Sequence, residues 1–359
     1  MPTPTNSMDD TLRVLAESVR RATAERRPLR IRGGGTKDFY GRAVAGETLA
    51  TGAYRGLVDY EPSELVVTAR AGTPLSELEA ELAARGQMLP FEPPHFGAGA
   101  TLGGCVAAGL SGPRRPYAGA VRDFVLGARM LDGRGQDLSF GGRVMKNVAG
   151  YDVSRLLVGS LGTLGVILEV SLKVLPRPGA EATLRLELPE AAAIETMNRW
   201  GGKPLPITAT GYADGLLHVR LAGSENGVRA ARAKIGGDEI ADGAAFWHGV
   251  REHSHAFFAG ANPLWRLSVK PTAAPIELPG RQFIEWGGAL RWRATDAPEH
   301  EVRGAAMRAG GHATLFRGAR PGQAVFAPLA PPLAHIHERL KKAFDPEGIL
   351  NPGRMYPAL

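Results

Sequence analysis

Apolar residues recur at Leu12, Leu15, Val19 and Ala22, the spacing that gathers side chains on one face of a helix. Asp9 or Asp10 offers a capping carboxylate and Pro28 stops the pattern, so a helix is expected to end near Arg27. Residues 29–32 read as a short strand that runs into Gly33-Gly34-Gly35. Residues 65–69 read as another strand, and Thr73-Pro74 is a cap and first-turn pair for a helix ending near Gly86. From Val125 a hairpin is expected to turn at Asp132-Gly133 and return through Phe140. Val166, Leu168, Val170, Leu172 and Val174 alternate with mostly polar partners, the period of a half-buried strand.

Pro176-Arg177-Pro178-Gly179 breaks that strand and marks a boundary. Beyond it, strands are expected near 182–188, 207–221, 264–270 and 282–293, with helices around 191–200, 225–235 and 244–258. A helix over 333–344 and a turn-rich end close the chain. Strands and helices mix without regular alternation, which makes the fold class α+β. The divisions expected are residues 1–177, a smaller α+β domain over 178–328, and a closing segment over 329–359.

With 359 residues, 44% of them hydrophobic, the chain can bury a large core and suits two domains better than one. Its 47 glycines cluster without a fixed period, which marks places where backbone must approach something closely. The net charge of +7 is spread along the chain; it is either a property of a soluble surface or a match for an anionic ligand, subunit or membrane face. No basic helix or aromatic array accompanies it, so nucleic acid is set aside as a partner. Cys105 is the single cysteine, which excludes an internal disulfide, favours a reducing compartment and forbids a four-thiolate iron–sulfur cluster held by this chain. The start lacks the basic and apolar regions of a secretion signal, and no 18-residue apolar run occurs. A cytoplasmic protein, at most peripheral on a membrane, is expected.

Three glycine segments carry candidate chemistry. Arg32-Gly33-Gly34-Gly35-Thr36-Lys37 follows a strand, and its amides could form a nest for a diphosphate, with Thr36, Arg32 and Lys37 adding a hydroxyl and charge. The triphosphate loop needs Gly-Lys-Ser/Thr, whereas the order here is Thr36-Lys37; the dinucleotide fingerprint fails because Asp38 stands at its third glycine. The alternative is a plain flexible turn. In residues 99–112, Thr101, Leu102, Gly103, Gly104, Gly109 and Ser111 would pack against a planar ligand or simply against another backbone. Gly159-Ser160-Leu161-Gly162-Thr163-Leu164-Gly165 opens the strand at Val166 and Ile167. Three such segments, each between regular elements, are hard to explain as independent turns.

In order along residues 28–178, these segments and the stretch from Tyr117 and Gly119 to Val125-Leu126-Gly127 resemble the FAD-linked oxidases related to para-cresol methylhydroxylase and vanillyl-alcohol oxidase. Phe344-Asp345-Pro346-Glu347-Gly348-Ile349-Leu350-Asn351-Pro352-Gly353 is similar to that family's closing motif, and Lys146-Asn147-Val148-Ala149-Gly150-Tyr151-Asp152 points to its glycolate and D-lactate dehydrogenase branch. The resemblance implies a two-subdomain FAD-binding domain with a cap. It places the diphosphate and adenosine on the first and third loops, the flavin along the middle segment, and Asn351 back at the cofactor. Many relatives bond the flavin to a first-loop histidine; none lies between Arg32 and Phe91, so FAD is expected to be non-covalent.

The same resemblance implies a flavin subunit of a complex oxidising glycolate to glyoxylate. Its partners would be a sister FAD subunit with a metal–histidine site and an iron–sulfur subunit that accepts electrons. A self-sufficient dehydrogenase of another hydroxy acid or alcohol, and a non-catalytic FAD-bearing relay subunit, are the alternatives. The His-x-Gly-Asp-Gly-Asn string of catalytically complete relatives is missing, and Leu161 replaces a glutamate usual in the third loop. His253 with His255 and His335 with His337 fall in expected helices, where two-residue spacing points the rings apart, so no metal site is expected. His312, after Gly310-Gly311, is the single catalytic candidate. Trp247, Trp265, Trp286 and Trp292 suit core or interface packing better than a flavin pocket.

Overall fold

The computed structural model describes residues 4–142 and 152–359. Helix Pro4–Ala24 buries Leu15, Ala16, Val19 and Ala22, as its periodicity requires, against Leu29, Leu131, Val166, Leu168 and Leu350. It stops short of Arg27 because Arg26 turns left-handed (φ 52°) and the Arg27 amide reaches back to the Ala22 carbonyl at 2.8 Å, a common way of closing a helix. Strand Leu29–Arg32 follows as expected and pairs in parallel with Glu47–Ala50.

An antiparallel five-stranded sheet runs, in spatial order, Leu57–Glu61, Val66–Arg70, Val166–Lys173, Val125–Leu131, Asp137–Gly141. The alternating strand Val166–Lys173 therefore lies at its centre, covered on both faces rather than half-buried. Its polar residues are paired inside: Glu169 accepts from Tyr54 Oη at 2.9 Å and Arg129 Nη1 at 3.0 Å, and the Ser171 and Thr68 hydroxyls meet at 2.8 Å. Alternation in the sequence reported two faces, while the sheet decided that one is fully buried and the other leaves only Glu169 and Lys173 partly exposed.

After Pro176 the chain enters an antiparallel eight-stranded sheet. Its order is Asp238–Glu239, Ala180–Glu187, Leu216–Gly223, Ile207–Ala213, Arg281–Glu285, Leu290–Ala294, Leu264–Ser268, His312–Arg317. Helices Glu190–Gly201 and Glu225–Ile235 fall where the pattern put them. The helix expected over 244–258 is instead Gly243–Glu252 followed by a 3-10 turn, Ala256–Phe258. His253 is the left-handed C-cap (φ 55°) and His255 caps the 3-10 turn through Nδ1, so this histidine pair lies outside the helices, unlike His335 and His337 in helix Pro331–Phe344.

The two sheets meet through one aromatic cluster in which Tyr40, Ala108, Leu110 and Leu161 pack with Trp247, Phe283, Trp286, Trp292 and Phe316. Beside it, buried Glu92 accepts from Arg114 at 3.2 Å and Arg220 at 2.8 Å, an ion cluster that spans the junction. No described helix is long and apolar enough to cross a membrane.

Candidate functional site

The three glycine segments converge. Gly34 lies so close to Gly99 that a Cβ on it would coincide with the Gly99 carbonyl, and a Cβ on Gly33 would strike the Thr101 hydroxyl; only glycine lets the first loop touch the second. Thr101 caps helix Leu102–Ala108 by accepting from the Gly104 amide at 3.3 Å. At that helix's far end the third segment is hung on its carbonyls, with the Gly159 amide donating to Val106 at 3.0 Å and Leu161 to Ala107 at 2.9 Å. Gly109 closes the helix in the left-handed region (φ 64°), where a Cβ would stand 2.9 Å from the Gly159 backbone.

The carboxyl-terminal motif locks the arrangement. Asn351 Oδ1 accepts from the Ile31 amide at 2.8 Å and its Nδ2 donates to the Leu161 carbonyl at 2.6 Å, tying the strand before the first loop to the third. Lys341 Nζ donates to the carbonyls of Thr163 and Leu350 and to the Asp345 carboxylate at 2.7–2.8 Å. The Asp345 carboxylate also accepts from the Ile349 and Leu350 amides. Burial lowers the Lys341 pKa and Asp345 opposes that shift.

Between these loops lies an open cleft of about 200 Å³. Arg32 to Lys37 line one wall, facing Thr101, Gly104, Ala107, Ala108, Leu161 and Asn351, and its floor continues into a smaller cavity bounded by Gly103, Gly162, Gly165 and Ile167. The backbone N–H groups of Gly34, Gly35, Thr36 and Lys37 donate to no described residue. Arg30, Arg32, Lys37 and Arg354 line the same cleft against the single carboxylate of Asp38, which Arg32 Nε holds at 2.7 Å. Burial lowers the Lys37 pKa, and it pushes the neighbouring Cys105 thiol up to about 12, keeping that thiol uncharged. Amide donors without partners beside surplus cations suit a diphosphate, and Ala107, Ala108 and Leu161 offer an apolar wall to a planar ring. The residues present therefore fit a flavin dinucleotide.

The remaining sequence candidates sit elsewhere. Leu102 and Val166 are wholly buried in the core. Thr163 donates to the Ser160 carbonyl, and Ser160 Oγ is buried without a partner among the described residues. Tyr117 is exposed, Gly119 ends a short helix, and Ser111 accepts from the Val121 amide. His312 opens its strand exposed to solvent and lines neither cleft nor cavity. Of the Lys146–Asp152 motif only Asp152 lies within the described residues, where its side chain caps helix Val153–Leu156. Of the tryptophans, Trp247 and Trp265 are core residues, while Trp286 and Trp292 also line a second chamber with His253, Arg266 and Glu285. No motif flagged Arg266 or Glu285, and His253 was weighed only as half of a histidine pair; the three come together only through the tertiary fold.

Comparison with known proteins points to the same cofactor. Residues 10–141 match a family described as an FAD binding domain. Over 350 residues the chain is 51% identical to glycolate oxidase subunit GlcE of Escherichia coli K12, covering 98% of this chain and 99% of that one. Glycolate oxidase subunit GlcD of Bacillus subtilis 168 is 30% identical over 154 residues, 42% of this chain and 33% of its own. In fold, alkyldihydroxyacetonephosphate synthase superposes with a TM-score of 0.64 over 94% of this chain and 74% of its own, at 15% identity.

Proposed function

The chain belongs to the family of the glycolate oxidase subunit GlcE, and from that premise we propose that it is the FAD-bearing subunit of a complex that oxidises glycolate to glyoxylate. The observation that carries this reading is the cleft itself: unpartnered amides of Gly34 to Lys37 and the cations of Arg30, Lys37 and Arg354, brought together by all three glycine segments. In this reading the first loop holds the diphosphate, and Ala107, Ala108 and Leu161 bound the flavin. Asn351 and Lys341 fix the loops from behind. FAD supplies an acceptor for the hydride on the carbon that bears the substrate hydroxyl. With no histidine on the first loop, the cofactor is held without a covalent bond.

The chain brings no cysteine set for an iron–sulfur cluster, so a cluster on the electron path belongs to another subunit. We assign those roles to a GlcD-like flavoprotein with its own metal–histidine site and to an iron–sulfur protein. The work divides over residues 1–177 as cofactor domain, 178–328 as cap and 329–359 as the closing segment.

The test is to purify the chain with its native partners, record its absorption spectrum, and repeat with Gly34→Ala in the assembled complex. A yellow protein that loses flavin on substitution is the expected result. Colourless wild-type protein that refuses added FAD, or a substituted protein that keeps it, would overturn the reading.

A further inference from the structure

A second chamber lies at the junction of the two sheets. One wall is Leu110 to Pro113, the continuation of the helix whose Ala107 and Ala108 line the cofactor cleft; the opposite wall comes from the eight-stranded sheet and its preceding turn. Arg266 and Glu285 project from that sheet, and His253 comes from the left-handed helix cap.

The chemistry of these side chains is unbalanced. Arg266 is half-buried and turned into the chamber, yet its guanidinium forms neither a hydrogen bond nor an ion pair with a described residue; its neighbours are the Trp286 ring, 5.1 Å away, and, farther off, the Tyr40 phenol and the Glu285 carboxyl. Arg115 crosses the same ring at 4.5 Å and adds a second positive charge. Glu285 does not neutralise them: its Oε2 accepts from Trp292 Nε1 at 2.7 Å, and burial raises its pKa to about 7. His253 Nδ1 is buried without a partner among the described residues, its ring stacked on Phe258 at 3.9 Å and edge-on to Trp292. Burial and the charges of Arg317 and Arg266 keep that imidazole uncharged. A guanidinium that faces a chamber with no partner among the described residues has its donors free for a ligand, and its planar fork matches a carboxylate.

We propose that this chamber is a binding site for a short carboxylic acid, Arg266 holding the carboxylate and the uncharged His253 accepting from the hydroxyl of the same molecule. The proposal rests on the glycolate reading and names residues of this chain for it, so that the subunit meets substrate itself instead of only relaying electrons. The free space, about 20 Å³, is little more than one water needs. It takes a carboxylate head and strongly disfavours longer acids. His253 acts here by accepting a hydrogen bond; a ring held so far below its usual pKa is a weak base.

The flavin-loaded full-length chain is titrated calorimetrically with glycolate, with ethylene glycol, which lacks the carboxylate, and with 2-hydroxyglutarate, while flavin per chain is read from absorbance. Saturable glycolate binding, none with ethylene glycol and at least tenfold weaker binding of 2-hydroxyglutarate are expected. Arg266→Gln should weaken glycolate at least tenfold at unchanged flavin content, and Arg266→Lys less. If Arg266→Gln fails to fold, the wild-type ligand series decides. Flavin bound without glycolate binding, or ethylene glycol binding as well as glycolate, sinks the chamber alone. Glycolate binding by a chain that refuses FAD sinks the cofactor reading and leaves the chamber standing.

Discussion

Replacing Asn351 by alanine tests whether the carboxyl terminus holds the cofactor loops in place. The amide makes two bonds, from Ile31 N–H at 2.8 Å and to the Leu161 carbonyl at 2.6 Å, and the residue is 5% exposed. Alanine leaves both backbone groups without partners at about 1–3 kcal/mol each. It must also adopt the left-handed backbone that Asn351 holds at φ 42°, which costs about 1 kcal/mol more. The sum is about 3–7 kcal/mol if no water replaces the amide. Because both bonds act on loops lining the cleft, part of that loss should appear as cofactor release; even 1.4 kcal/mol is a tenfold change. FAD retention is measured by fluorescence of released flavin on dilution, and stability by urea unfolding. The expected result is at least tenfold weaker retention and a lower midpoint. Asn351→Asp provides the control: its carboxylate still accepts from Ile31 but faces the Leu161 carbonyl with no proton to donate, so it should lose flavin at pH 8 and recover partly in acid. An alanine variant that keeps its flavin and unfolds within 1 kcal/mol of wild type would refute the reasoning.

Glu92→Ala should cost about 3–5 kcal/mol, because it strands the buried guanidiniums of Arg114 and Arg220 at the junction of the sheets; tryptophan fluorescence during urea unfolding reports it. Burial pushes the Glu92 carboxyl up, but the two arginines outweigh it and hold the pKa low, so this contribution is present above the ordinary carboxylate pKa and fades as the medium is acidified through the lower folded value. Glu285 has the opposite sign: raised from 4.5 to about 7, its carboxyl keeps a proton that the unfolded chain releases. Stability should therefore fall by about 3 kcal/mol as pH climbs from below 4.5 to above 7, and Glu285→Gln should flatten that slope in urea midpoints taken at pH 4 and 8. Gly109→Ala should detach the third segment from helix Leu102–Ala108, since its Cβ would stand 2.9 Å from the Gly159 backbone in a left-handed turn; a loss of flavin comparable to that of Gly34→Ala is expected by absorbance.

Local signals carried much of this protein. The spacing of Leu15, Val19 and Ala22, the run of glycines after a short strand, and the proline-rich break at Pro176 are each legible within a few residues, because helix period, backbone freedom and proline geometry are local properties. The closing motif around Asn351 could be matched to a family, yet its work was invisible: its bonds reach Ile31, 320 positions away, and Leu161, 190 away. Alternation along Val166–Lys173 marked a strand but could not say that neighbours cover most of its polar face as well and pair Glu169 and Ser171 there.

The histidines show the same divide. His312 stood out beside two glycines and proves exposed, whereas His253, set aside within an expected helix, sits at a left-handed cap against Phe258 and Trp292. By itself the sequence located most helices and strands and marked the glycine-rich loops as candidates for an anion, while it ran turns at 214–215 and 286–289 into longer strands. Only the tertiary structure decided which of those loops meet, and that Arg266, Glu285 and His253, each from a different element and far from the glycines of the cleft along the chain, share one chamber. The reason is physical: backbone preference acts over a handful of residues, while burial and charge pairing are settled by whichever distant elements come to lie against them.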